Sequence, residues 1–395
     1  MKVTALVQGG RQARSPAADM EEPWQQERRA RGAWAAGVAA LLAIAIAFPW
    51  VFTNPTTTSI GVFTLIYMAA ATAWNSFAGY SGYIPLGHAV FFGSGAYTLV
   101  IAAQDLHIRG GYTVFALVPL AGAVAVAVAV PFGLVALRTR RHTFVVITIA
   151  IFFIFQLMAF NLGITQGSSG IPAPTPTWPA ATFNDRFYYV ALAILVVAAA
   201  FSWGIRRSRF GLQLLAIRDD EDRALSLGVR VSRVKLTAFA LSALPVGMVG
   251  AVWAYFIGQV YPQFAFDPLF DISVALMAFL GGLGTVSGPL LGALILEPLQ
   301  QYFTLQFSSN ALYLVVYGAL FLVVILLLPR GIIPTVRDRV ASWRERRSGS
   351  TALASGPDAA GGVLSSEMAG GGVAGAAGGG AVSPPGPSGP AVRRG

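Results

Sequence analysis

Few residues in this chain could do chemistry, and they fall into two sets. The first stands in or beside long apolar stretches. His88 follows a Gly-rich segment, Glu297 precedes Pro298, and Asp267 and Asp271 sit at the outer edge of another stretch. Ionisable groups in such surroundings are candidate proton carriers or cation ligands. For Glu297 the plainer reading is an interfacial helix end, and for His88 a hydrogen-bonded packing residue. Asp105, His107 and Arg109 fall in a short connection between stretches. The second set is the run at 206–235, RRSRFGLQLLAIRDDEDRALSLGVRVSRVK. It holds about a dozen of the chain's 27 basic and 17 acidic residues.

That run reads as two short helices. Leu212, Leu214, Leu215 and Ile217 give the first an apolar face. Asp219 is placed to cap a second helix over about 220–227, and Gly228 to end it. A compact, amphipathic, charged element offered to a partner fits this pattern, and so does a solvated connection held on the cytoplasmic side by Arg206, Arg207 and Arg209.

The elements that must position these residues are apolar. Of 395 residues, 55% are hydrophobic and 11% charged, and the mean hydropathy is +0.64; a soluble domain carries about a quarter charged residues. Apolar spans, most of them of a length that crosses a bilayer, lie at about 33–52, 59–78, 89–104, 112–137, 143–161, 187–205, 236–258, 269–283, 289–303 and 311–328. The chain is thus expected to be an all-α polytopic membrane protein with about ten transmembrane helices. The spans at 269–283 and 289–303 are short and flank glycines, so one or both are expected to be broken.

The net charge of +10 gathers at span ends, as RTRRH at 138–142, RRSR at 206–209 and RDRVASWRERR at 337–347. This is a topology signal, which argues against nucleic acid as a partner and puts both termini in the cytoplasm. The polar segment 1–32 carries both signs and reads as a cytoplasmic extension before an uncleaved first span. Residues 331–395 read as a basic, then Gly/Ala/Ser/Pro-rich cytoplasmic tail without the apolar content to fold.

Two segments depart from plain spanning helices: GYSGYIPLGH at 79–88 and GGLGTVSGP at 281–289. Gly/Pro interruptions in two halves of a membrane protein point to a transport pathway; the alternative is a pair of turns between helices packed closely through glycine. The chain has no GxxxxGK[ST] phosphate loop, no HExxH and no GxSxG, and it has no cysteine and three isolated histidines. Metal and enzyme chemistry are poorly supported. A pore-like protein without its own energy source, carrying a docking element, suggests a transport subunit driven by a separate ATPase.

Four segments, in order, resemble the membrane permeases of branched-chain amino acid ABC importers of the LivM type. They are WNSFAGYSGYIPLGHAVFFGSGAY at 74–97, LRTRRHTFVVITIA at 137–150 with TQGSSGI at 165–171, RSRFGLQLLAIRDDEDRALSLGV at 207–229, and FLGGLGTVSGPLLGA at 279–293. With their surroundings they cover about 60–330, within a permease domain taken as 33–330.

The resemblance implies a fold like type II ABC importer permeases and a place in a bacterial inner (plasma) membrane. It makes 206–235 the coupling loop that docks on the ATPase, with Arg209, Gly211, Arg218, Asp219, Asp220, Glu221 and Gly228 as its matching residues. It puts Gly79, Gly82, Pro85, Gly87 and His88, and Gly281, Gly282, Gly284, Gly288 and Pro289, on pathway-side motifs or helix breaks. Implied partners are a second, LivH-like permease, two ABC ATPases that hold the Mg-ATP, and an extracytoplasmic binding protein, with no cofactor on this chain. Tyr83 and Pro85 depart from the Gln and Ser common in the family, and FFIFQ at 152–156 leaves only Gln156 where relatives often carry a polar pair. The expected cargo is a branched-chain or related hydrophobic amino acid, with urea, short amides or aromatic acids as alternatives, and an ion-coupled carrier as a further one.

Overall fold

Backbone amides cannot be left unpaired among apolar side chains, so runs of this composition fold as helices. A computed structural model describes residues 36–176, 178–307 and 331–336, with isolated positions up to 339. In chain order the helices are α1 (Ala36–Val51), α2 (Pro55–Ser81), α3 (Ala89–Asp105), α4 (Val118–Ala136), α5 (Arg141–Asn161) and α6 (Phe183–Arg207). They continue with α7 (Arg209–Asp219), α8 (Glu221–Ser226), α9 (Val231–Ile257), α10 (Pro262–Ala265), α11 (Pro268–Gly281) and α12 (Gly288–Phe307). The two-residue strands Ile171–Pro172 and Gln259–Val260 pair antiparallel and tie the α5–α6 connection to the end of α9.

Six helical stretches are long and apolar enough to cross a membrane: Pro55–Ser81, Tyr112–Ala136, Arg141–Asn161, Phe183–Arg207, Val231–Ile257 and Pro262–Gly281. The expected ten are therefore not all found. α1 and α3 fall short in length, and α12 is diluted by Glu297, Pro298, Gln300 and Gln301. The tenth span, at 311–328, lies largely outside the described residues, as do the polar segment 1–32 and most of the tail.

α2 and α9 form the interior, and α5 is the most exposed of the long helices. α2 packs against α6, α9, α11 and α12, and α9 against α3 and α4. Both interior helices are rich in Ala and Gly, as suits helices held by close backbone approach rather than by a hydrophobic driving force. α3 lies directly on α9: a Cβ at Gly95 would fall on the Gly247 carbonyl, and one at Gly250 on the Phe92 carbonyl.

The ends of α2 are set locally. The Asn54 side chain accepts from the Thr56 amide at 3.0 Å with Pro55 in the first turn, and Gly82 closes the helix at φ +73°.

Candidate functional site

The charged run folds as a helical hairpin. Ser208 opens α7 by accepting from the Gly211 amide at 3.1 Å. Asp220 opens α8, accepting from the amides of Asp222 and Arg223 at 3.0 Å each, and its other oxygen lies 3.1 Å from Arg223 Nε. The cap is thus Asp220 and not Asp219, because Asp219 is still the last residue of α7. Gly228 ends the element at φ +82° as expected, its amide bonding the Leu225 carbonyl. Replacing Asp220 with alanine is expected to cost about 1 kcal/mol, read as a lower melting temperature of the purified chain.

The apolar face differs from the sequence reading. Gly211, Leu214 and Ile217 are buried and Leu215 is half-buried, whereas Leu212 is 63% exposed. A three-residue spacing through Gly211 sets the face, because a Cβ there would collide with the Ile205 carbonyl. Leu225 and Leu227, at 57% and 82% exposed, join Leu212 as large apolar groups left open on this charged element. Arg209 and Asp219 are also exposed.

Two of the candidate residues turn inward. Glu221 accepts from Lys235 Nζ at 2.7 Å and from the Tyr83 hydroxyl, and Lys235 also donates to Tyr83 Oη at 3.1 Å. Lys235 Nζ lies 4.4 Å from the centre of the Tyr83 ring. Partial burial pushes the Glu221 carboxyl pKa up, but the hydrogen bonds from Lys235 and Tyr83 and the charges of Lys235 and Arg141 outweigh it, and the net shift is downward. Arg218 is the second inward residue; its Nη1 donates to the Gly79 carbonyl at 2.6 Å.

Residues 82–87 of the first glycine-rich segment are non-helical backbone, buried or half-buried in protein, whereas Gly79 to Ser81 still belong to the last turn of α2. Tyr83 lies beside Lys235 on α9, and His88 Nε2 is 3.0 Å from Ser242 Oγ, seven residues further along the same helix. At 1.5 Å rise per residue the segment therefore runs about 10 Å along α9. Trp74 Nε1 donates to the Pro85 carbonyl at 2.9 Å, and the Leu86 amide donates to Thr148 Oγ1 at 3.1 Å. A Cβ at Gly87 would lie 2.8 Å from the Phe132 ring. The His88 ring packs edge-on to Phe91 and Phe239.

The second break meets the first. Gly282 and Gly284 take φ +122° and +80°, and Gly281 and Gly288 touch where α11 turns into α12, with Pro289 in the first turn. Asn75 holds this loop on both sides, accepting from the Gly284 amide and donating to the Thr285 carbonyl, each at 2.8 Å. A Cβ at Gly79 would lie 2.6 Å from the Gly284 nitrogen, so the two breaks form one seam at the end that carries α7 and α8.

Two carboxylates sit deeper than the sequence reading put them. Asp271 is 2% exposed and accepts from the Ala89 amide at 3.1 Å, capping α3 from inside the protein rather than standing at an outer edge. Glu297 is fully buried, bonded to Gln301 Nε2 at 2.9 Å, and is not an interfacial helix end. Gln156 is used internally too, donating to the Phe266 carbonyl at 2.6 Å. Asn75, Arg141 and Lys235 were missed. Lys235 had a signal: it is one of two lysines among 27 basic residues.

A family model described as the permease component of branched-chain amino acid transport systems matches residues 56–325. The chain is 28% identical over 330 residues to the high-affinity branched-chain amino acid transport system permease protein LivM of Salmonella typhimurium, covering 76% of this chain and 75% of that relative. LivM of Escherichia coli K12 matches with the same identity and coverage. LivH of Escherichia coli K12 is 24% identical over 282 residues, which is 68% of this chain and 91% of LivH. No solved structure matches the chain.

Proposed function

The chain belongs to the family of branched-chain amino acid transport system permease components, and from that premise we propose that it is the membrane-spanning subunit of an ABC importer. In this reading it carries branched-chain or related hydrophobic amino acids inward and has no catalytic residues of its own. Its partners are a second, LivH-like permease, two ATPases that bind and hydrolyse Mg-ATP, and an extracytoplasmic binding protein. The seam end, bearing α7 and α8, faces the cytoplasm of a bacterial cell, and the glycine-rich breaks are where the helices change their packing. The cargo is taken from the names of LivM and LivH, with urea, short amides and aromatic acids as the alternatives.

One observation carries the reading. The α7–α8 hairpin exposes Leu212, Leu225 and Leu227 beside the exposed charges of Arg209, Asp219, Asp222 and Arg223. Large apolar groups held out by two capped helices suit insertion into a groove on a partner, where their burial contributes about 2 kcal/mol each. An aspartate at Leu225 and Leu227 together is expected to cut co-purification of the ATPases at least about tenfold, because two desolvated carboxylates would have to enter the groove. Unchanged recovery of the ATPases would sink the docking reading. Substrate-stimulated ATP hydrolysis by the whole complex in liposomes, set against uptake by this chain alone under an imposed ion gradient, separates an ABC permease from an ion-coupled carrier.

A further inference from the structure

Arg218 stands in the last turn of α7, yet its side chain leaves the exposed face and enters the seam. Its Nη1 donates to the Gly79 carbonyl at 2.6 Å. That carbonyl has no partner within α2, because the Tyr83 amide, four residues on, bonds Ser81 Oγ instead. A positive charge at this place also complements the C-terminal end of the α2 dipole.

The same guanidinium reaches the second break. Nη1 would lie 2.6 Å from a Cβ at Gly284, so the glycine leaves room for it as well as permitting φ +80°. The arginine stem packs on Gly82, whose Cβ would be 3.1 Å from Arg218 Cγ. One side chain thus touches Gly79 and Gly82 of the first break and Gly284 of the second.

Its backbone is anchored as well. Arg141 Nη2 donates to the carbonyls of Ile217 at 3.0 Å and Arg218 at 2.6 Å, holding the end of α7 to α5. Asn75, four residues before Gly79 on α2, bonds Gly284 and Thr285, so a displacement of the second break is passed to the helix that leads into the first. Arg206 also bonds the Gly284 carbonyl, at 2.8 Å, but from the exposed last turn of α6 and not from the hairpin.

We infer that Arg218 is a positioning residue, and that its guanidinium, seated where Gly79 and Gly284 meet, is the contact through which displacement of the α7–α8 hairpin reaches both glycine-rich breaks. This rests on the transport reading above and changes what Arg218 does within it: the residue faces the permease interior rather than the ATPase. Docking belongs to the exposed leucines, and transmission belongs to Arg218.

The test compares the parent complex, co-expressed with its ATPases and binding protein in liposomes, with Arg218→Gln and Arg218→Lys. With glutamine, the ATPases still co-purify and basal ATP hydrolysis stays within about twofold, while uptake per ATP hydrolysed falls about tenfold or more, the size of a typical coupling between sites. Lysine, which keeps the charge but lacks the fork, gives a smaller loss. Because the chain has no cysteine, nitroxides at Ser226→Cys and Ser287→Cys report the distance from hairpin to second break. The parent is expected to keep one distance when ATP is trapped, and the glutamine variant to change it.

Unchanged uptake per ATP, or the same distance behaviour in parent and variant, overturns the inference. Loss of the ATPases with glutamine overturns it too, since Arg218 would then belong to the docking surface. If the glutamine variant does not accumulate, the lysine variant is judged on both readouts by the same criteria. A parent complex without ATP-driven uptake instead overturns the transport reading, before Arg218 is considered.

Discussion

Replacing Glu221 with alanine is expected to lower the stability of the purified chain by about 3–5 kcal/mol, because it strands a buried cation. Lys235 is 3% exposed, and Glu221 is its only carboxylate partner among the described residues. Without Glu221, the ammonium keeps one hydrogen bond, to Tyr83 Oη, and the face of the same ring. Adding Lys235→Met to the alanine variant removes the stranded charge while keeping an apolar stem of similar length, and is expected to restore most of the loss. A melting-temperature cycle over the parent, both single variants and the double variant measures this. Simple addition of the two single effects would show that the pair is not coupled.

The pH dependence has a definite sign. The Glu221 carboxyl pKa is lowered in the folded chain from an ordinary 4.5. A depressed carboxylate contributes stability that is present above the unfolded value and lost as pH falls through the folded one. The difference in melting temperature between parent and Glu221→Ala is therefore expected to be full at pH 7. It should shrink only below about pH 4.5. A difference that grew on acidification would contradict the assigned pair.

Gly95→Val is expected to be comparably damaging, costing about 3 kcal/mol or more by overpacking. A Cβ at Gly95 would sit on the Gly247 carbonyl, which belongs to a helix backbone that cannot step aside. Gly247 is itself closed in by Ala125 of α4, so moving α9 away from α3 drives it into a second neighbour. The expected result is loss of a single sharp peak in size-exclusion chromatography and poor accumulation in the membrane. Gly204→Ala is the control: nothing lies within 4 Å of a Cβ there. Its melting temperature should hold or rise slightly, since alanine favours the helix by about 1 kcal/mol. Equal behaviour of the two variants would mean that α3 and α9 do not depend on the glycine contact.

Much of the fold was legible because a spanning helix is declared by its own composition. α2, α4, α5, α6 and α9 lie close to where apolar runs placed them. The weakest boundaries were those where polar residues serve the interior. Glu297, Pro298, Gln300 and Gln301 make α12 look like the end of a helix, although Glu297 is fully buried. The same limit applied to the hairpin. Two capped helices ended by Gly228 could be read from residue types, but Asp219 and Asp220 are adjacent and alike, and only the chain's path tells which one leaves the helix.

The sequence by itself determined the class of molecule, the positions of the long helices, the glycine-rich breaks and the charged hairpin, since each of these is local in the chain. The tertiary structure alone decided which side chains meet. It brought Gly79 against Gly284, tied Asn75 of α2 to both sides of the second break, and paired Glu221 with Lys235 and Tyr83. It also turned Arg218 from an outward-facing charge into an inward link. The physical reason is that a charge in a sequence carries no direction. Whether it meets water, a partner or an unpaired carbonyl depends on which helix end lies within reach of its side chain, and for Arg218 that end is Gly79, 139 positions away.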